Sequence, residues 1–195
     1  MPVQLLSTKF FIPSLRAEHI FRQRLASYFD TCLSHKLTLV SAPAGYGKTT
    51  LLSEWAKACP YPLAWLSLDE GDNDPARFQE YLFAAFRHHG VISSSLLPEA
   101  ADLHESIAAL INILSTISSP VILVFDDYHV LTNQSIHEAL AAMLERQPEH
   151  LHIIIASRAD PPLPLARLRG RGQMIEIRLA DLRFTEEETI QFLHK

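Results

Sequence analysis

A chain of 195 residues suits one domain of ordinary size. At that length roughly 70% of the unfolded surface can be buried, so a core needs no disulfide staples. Hydrophobic residues at 48% and charged residues at 20% exclude a disordered composition, and a net charge of -5 argues against this segment gripping a nucleic-acid backbone. Cys32 and Cys59 lack metal-ligand and CxxC spacing and read as reduced thiols of a cytosolic protein. No run of about 18 apolar residues predicts a membrane span, and Met1-Pro2-Val3-Gln4 lacks the start of a signal peptide.

In chain order, a helix is expected over Glu18 to Leu33, ahead of an apolar strand at Leu37 to Ser41. A helix over Thr49 to Ala58 and a strand over Leu63 to Leu68 follow. Asp74-Pro75 offers an N-cap with proline at the first helical position, opening a helix to His89. Next come a helix over Glu99 to Ile117, a strand over Val121 to Phe125 and a helix over Gln134 to Gln147. Strands are read at Leu151 to Ala156 and Met174 to Arg178, with a rigid proline-rich loop at Pro161 to Pro164 between them. The final helix begins near Thr185, where Glu186, Glu187 and Glu188 load its first turn with favourable negative charge. Three nearly all-apolar strands suit a sheet covered on both faces. The alternation predicts an α/β fold, with a parallel five-stranded sheet flanked by helices in three layers.

Ala42-Pro43-Ala44-Gly45-Tyr46-Gly47-Lys48-Thr49 follows the first strand and opens a helix, matching a P-loop with alanine for its first glycine. Gly45 and Gly47 let backbone N–H groups turn inward around phosphate oxygens, and the helix N-terminus adds a positive dipole end. Lys48 brings charge to the β and γ phosphates, and the Thr49 hydroxyl coordinates Mg²⁺. The plain alternative is a glycine turn beside a surface lysine; the strand–loop–helix context favours the P-loop. Thr50, next in line, borders the loop or serves as an ordinary helix residue.

Val121 to Phe125 leads into Asp126-Asp127, an apolar strand ending in two carboxylates. Asp126 would bind Mg²⁺ directly or through its water shell, and Asp127 would orient or deprotonate an attacking water. An Asp-Asp pair can also simply cap a turn. Leu151 to Ala156 leads into Ser157-Arg158, and this strand is expected beside the Asp126 strand, so that Ser157 and Arg158 could sense a γ-phosphate. For Arg158 the alternative is a surface residue at a loop start. Arg22-Gln23-Arg24 either reaches an adenine ring or carries solvated helix charges. Asp69 to Asp74 lacks EF-hand spacing and reads as a capped loop near the nucleotide. His129 lies close to the site in sequence, and the arginines at 167, 169, 171, 178 and 183 form either a contact face or a solvated surface.

Taken together, Ser41 to Thr50, Trp65 to Asp69 with Asp72 to Asp74, Phe125 to His129, Ala156 to Arg158 and Leu182 to Thr185 look familiar. The set resembles the N-terminal nucleotide-binding domain of MalT-like regulators, LuxR-type ATP-dependent transcriptional activators of the STAND class. The resemblance implies ATP and ADP as ligands with Mg²⁺, slow hydrolysis, Asp127 as catalytic acid and Arg158 as sensor. It implies an ADP-bound resting monomer and self-association with ATP. Helical, winged-helix and sensor domains would follow, with DNA binding placed in a terminal helix-turn-helix. Residues 1–195 would then be the P-loop domain of a longer cytoplasmic protein, with 1–36 leading in and 179–195 starting a helical region. ATP over GTP rests on this resemblance alone, since no Asn-Lys-x-Asp sequence occurs. A small-molecule or nucleotide phosphotransferase is the alternative, with Pro161 to Arg171 as its only lid-like segment; a non-hydrolysing scaffold is a third reading.

Overall fold

A computed structural model describes residues 5–15, 20–93 and 102–194. Five strands, β1 (Leu37–Ser41), β2 (Leu63–Ser67), β3 (Val121–Asp126), β4 (Leu151–Ser157) and β5 (Met174–Arg178), form one parallel sheet in the order β2-β3-β4-β1-β5. The expected strand positions hold to within a residue or so at each end. β4 lies between β1 and β3, pairing Ser41 with Ser157 on one side and Phe125 with Ile155 on the other. The expected neighbour relation of β4 and β3 is therefore found.

The described residues form eight α-helices: α1 (Gln23–Asp30), α2 (Lys48–Ala58), α3 (Pro75–His88), α4 (Leu103–Ser115), α5 (Gln134–Arg146), α6 (Leu165–Gly170), α7 (Leu179–Leu182) and α8 (Glu186–Leu193). Side-chain alternation along each strand sorts the core into two layers. Leu39, Leu123, Phe125 and Ile153 meet Phe78 of α3, Leu110 of α4 and Leu140 of α5 on one face. Val40, Val124, Ile154 and Trp65 meet Leu25 and Phe29 of α1 and Leu52 of α2 on the other. This is the three-layer α/β sandwich that the run of doubly buried strands predicts.

Helix starts follow the capping residues. The Asp74 side chain accepts from Arg77 N, with Pro75 at the first helical position. Thr185 and Glu188 cap α8 reciprocally, each side chain accepting the other's backbone N–H. Elsewhere the structure departs from the sequence reading. The helix expected over Glu18 to Leu33 is described only as Gln23–Asp30 with a 3₁₀ turn at Cys32–Ser34, and Glu18 lies outside the described residues. The helix expected from Glu99 starts at Leu103, capped by Asp102, and Glu99 also lies outside the described residues. The lid-like segment Pro161 to Arg171 is a loop only as far as Pro164; α6 then packs Leu165 and Leu168 into the core. Its i, i+3 pair of leucines was the missed helical signal.

Candidate functional site

The carboxyl ends of β1, β4 and β3 lie side by side, and the phosphate-loop motif leaves the first of them. Gly45 and Gly47 take positive φ, 87° and 72°, the region that favours glycine. A Cβ at Gly47 would stand 3.2 Å from Arg22 Nη2, so this turn has both the wrong conformation and too little room for a side chain. Gly47 caps α2, which starts at Lys48.

Thr49, one residue into α2, donates through Oγ1 to Asp126 Oδ1 at 3.0 Å. The phosphate loop and the end of β3 thus meet across the end of β4. Asp126 is only 3% exposed and also accepts the Asp127 N–H at 3.0 Å. Burial, and then the neighbouring Asp127 carboxylate, push its pKa from 3.8 up to about 6 against the pull of the Thr49 hydroxyl. Lys48, 7% exposed, folds its Nζ onto the carbonyls of Ala42 at 2.8 Å and Pro43 at 3.0 Å. Burial lowers its pKa, with Asp127 opposing and Arg158 adding to the fall.

Neither Lys48 nor Asp126 has an ion-pair partner among the described residues. Two buried, opposite charges that attract one another only at a distance, without a direct ion pair, are costly to a fold. Their environment fits an anion beside Lys48 and a divalent cation beside the Asp126 and Thr49 oxygens, which are hard donors of the kind magnesium takes. Asp127 sits in the left-handed region (φ 56, ψ 36), its carboxylate half exposed and 3.8 Å from His129 Nδ1. Arg158, exposed at the end of β4, is close enough to depress the pKa of both Lys48 and His129. Lys48, Thr49, Asp126, Asp127, His129 and Arg158 therefore form one electrostatic neighbourhood.

Beside the phosphate loop opens a cavity of about 560 Å³, in the range that holds small ligands. Tyr46, Gly47, Thr49 and Thr50 line one side of it, so Thr50 borders the space as well as continuing the helix. Arg22 lines it too. The residue is 6% exposed, and its guanidinium donates to Leu182 O at 3.0 Å and Gly47 O at 3.4 Å and lies 5.6 Å from the Phe184 ring. The solvated-charge reading fails for Arg22. Arg24 points elsewhere, holding Glu188 at 2.9 Å and the carbonyls of Asp181 and Arg183. Pro13, Ser14, Phe184 and Phe192 complete the walls and were not singled out as site residues from sequence. Only the Leu182 to Thr185 motif hinted at them; the Pro13 and Ser14 wall comes from a distant strap that no local pattern marks.

Of the remaining candidates, Arg183 also lines the cavity and the others fall outside it. Asp69 and Asp72 are held by Lys9 and Arg77 rather than turned toward the cavity. Arg167 pairs with Glu145, Arg169 with Glu176, and Arg178 with Asp160 and Glu176, so three of the five basic side chains are in local ion pairs. Cys32 is buried and Cys59 partly buried, and neither forms a disulfide among the described residues.

Residues 16–155 match the AAA ATPase domain family. The chain belongs to that family. The matched span carries the phosphate loop, α2 and β3, which are the parts that build the Thr49–Asp126 contact. Among curated proteins, this AAA ATPase domain is 43% identical over 194 residues to the HTH-type transcriptional regulator MalT of Serratia proteamaculans, covering 96% of the chain and 21% of that protein. It is 43% identical over 185 residues to MalT of Cronobacter sakazakii, covering 91% and 20%. The chain thus spans about a fifth of the length of the curated relatives it matches. Among solved structures, a Walker-type ATPase of Pyrococcus abyssi superposes with a TM-score of 0.58 at 19% identity, covering 93% of this chain and 59% of that one. A STAND protein with a tetratricopeptide repeat sensor from Pyrococcus horikoshii gives 0.56 at 15% identity, covering 98% and 27%. These two likenesses concern the fold, and they agree on a P-loop ATPase architecture.

Proposed function

We propose that this AAA ATPase domain binds and slowly hydrolyses ATP, as the nucleotide switch of a longer MalT-like transcriptional regulator. The observation that carries the reading is the 3.0 Å contact between Thr49 Oγ1 and Asp126 Oδ1 beside a buried, unpaired Lys48. In this reading the amides of residues 45–49 and the Lys48 ammonium bind the phosphates. Thr49 and Asp126 would hold magnesium, which would supply positive charge to offset that of the phosphate oxygens. Asp127 orients the attacking water, Arg158 meets the γ-phosphate, and Arg22 with Tyr46 and Thr50 borders the nucleoside side of the cavity.

ATP and ADP differ by one phosphate carrying charge and acceptor oxygens. Only groups that touch it can bind the two states differently, and a ligand shifts a conformational equilibrium only by such a difference. Slow turnover then acts as a timer for the switch. By similarity to the regulators it matches, the domain would act in the cytoplasm, joined to helical, winged-helix and sensor domains. It would self-associate when ATP is bound and leave DNA binding to another domain.

A phosphotransferase would need a mobile arginine-bearing lid. The candidate segment instead buries Leu165 and Leu168 and pairs Arg167 and Arg169 with glutamates. Calorimetry with ATP and Mg²⁺ tests the switch reading. Lys48→Ala is expected to lose at least tenfold in ATP affinity, and an unchanged affinity would refute it.

A further inference from the structure

The acidic segment after β2 turns its charges away from the cavity, toward an anchor of its own. Asp72 is fully buried; its carboxylate is bound by Lys9 and by Arg77 Nε at 3.4 Å, and it accepts the Asp69 N–H at 2.8 Å. Lys9 is itself buried, 2.9 Å from Asp69 and 4.3 Å over the Tyr81 ring. A buried carboxylate with two cations and an amide around it fixes its backbone closely. That backbone is the 3₁₀ turn Glu70–Asn73, and its last residue is thereby set against another part of the molecule.

Asn73 faces the chain that follows Asp127. Its Nδ2 donates to Val130 O at 2.9 Å and to Glu70 O at 3.0 Å. Its Oδ1 accepts from Thr132 N at 2.6 Å, Asn133 N at 3.0 Å and Thr132 Oγ1 at 3.2 Å. Its carbonyl accepts from Asn133 Nδ2 at 2.9 Å. One asparagine thus ties down residues 130, 132 and 133, the link between the turn Tyr128–Val130 and α5. At the head of that turn, Asp127 is the one non-glycine residue with positive φ among the described residues. Such a conformation costs an aspartate on the order of 1 kcal/mol and persists only where surrounding bonds determine it. Val130 N bonds back to Asp127 O at 3.1 Å, so the Asn73 clamp on Val130 reaches Asp127 through a single hydrogen bond.

We propose that Asn73 is a positioning residue for Asp127. Anchored by the buried Lys9–Asp72 pair, it holds the turn that keeps the Asp127 carboxylate at the mouth of the site. The inference rests on the reading of Asp127 as the group that orients the attacking water.

Two measurements on Asn73→Ala test it. In nucleotide-free protein, amide hydrogen exchange is expected to quicken at least tenfold over residues 127–133, with the amides of residues 45–50 unchanged. In single-turnover assays with Mg²⁺ and ATP, the hydrolysis rate is expected to fall at least tenfold while the Kd for ATP stays within twofold. Asn73→Asp keeps the acceptor for Thr132 and Asn133 but loses the donor to Val130, so its effects should be intermediate; it also serves the same comparison if the alanine variant does not fold. Unchanged exchange at 127–133 overturns the proposal whatever happens to hydrolysis. A joint loss of rate, ATP affinity and melting temperature overturns it as well, assigning Asn73 to folding alone. Faster exchange in a protein whose parent does not hydrolyse ATP upholds the hold on the turn and sinks the catalytic reading of Asp127 instead.

Discussion

Replacing Asp126 by asparagine should stabilise the magnesium-free protein while removing its response to magnesium. The folded carboxyl has a pKa of about 6 against an ordinary 3.8. That difference is worth about 3 kcal/mol. The sign follows from which state holds the proton. Between pH 3.8 and about 6 the folded protein keeps a proton that the unfolded chain has released. Stability therefore falls as pH rises through that window and stays lower above it. Asparagine is neutral throughout and retains an oxygen to accept from Thr49 and the Asp127 amide. Melting curves in chelator at a series of pH values should show the variant and parent alike near pH 4 and diverging by neutral pH. A gain of about 1–3 kcal/mol corresponds to roughly 2–12 °C for a chain of this size. Added Mg²⁺ should raise the melting temperature of the parent only. An asparagine variant less stable than its parent at pH 7.5, or a difference independent of pH, would refute the claim that an unpaired buried charge sits here.

Gly47→Ala places a Cβ at φ 72 and 3.2 Å from the Arg22 guanidinium, so a loss of about 1–2 kcal/mol in thermal melts and weaker ATP binding by calorimetry are expected. His152, buried and bonded to Thr38 Oγ1 at 3.0 Å, has its pKa pushed by burial from 6.5 down to about 4. The folded state refuses a proton that the unfolded chain accepts, so up to about 3 kcal/mol is lost as pH falls from 6.5 toward 4. This opposes the Asp126 effect in the same window, and an NMR titration of the His152 ring separates the two; a midpoint near 6.5 would contradict its burial.

Much of this architecture can be read from the chain because short-range rules carry it. Doubly apolar strands, Asp74-Pro75, Thr185 with Glu188, and the Gly45 to Thr49 spacing each act within a few residues, so pattern alone locates them. The sequence also anticipates that β3 and β4 are neighbours, and from this follows the gathering of Asp126, Ser157 and Arg158 at the carboxyl ends of adjacent strands. What it hides is set by long-range partners. Lys9 meets Asp72 and Arg22 meets Leu182, over separations of 63 and 160 residues, and no local periodicity encodes either pairing. Asp69 and Asp72 read in sequence as part of a capped loop near the nucleotide, and their actual partners stay hidden because one cation, Lys9, arrives from far away and the other, Arg77, from a helical turn beyond.

The same long-range contacts give the phosphate loop a mechanical link to the end of the described chain. Arg22 bonds at once to Gly47 O in the loop and to Leu182 O in α7, and two residues on Arg24 grips Asp181 O, Arg183 O and the Glu188 carboxylate of α8. A guanidinium bonded to the loop backbone thus has its other bond to α7. Little of Arg22 is exposed, and it borders the cavity beside the loop, so a guanidinium N–H that releases a carbonyl would face the ligand space. A buried cation bridging two backbones passes a displacement on more stiffly than a surface ion pair, which solvent would replace at little cost. The hydrogen bonds of Arg22 and Arg24 thus join the phosphate loop to α7 and α8.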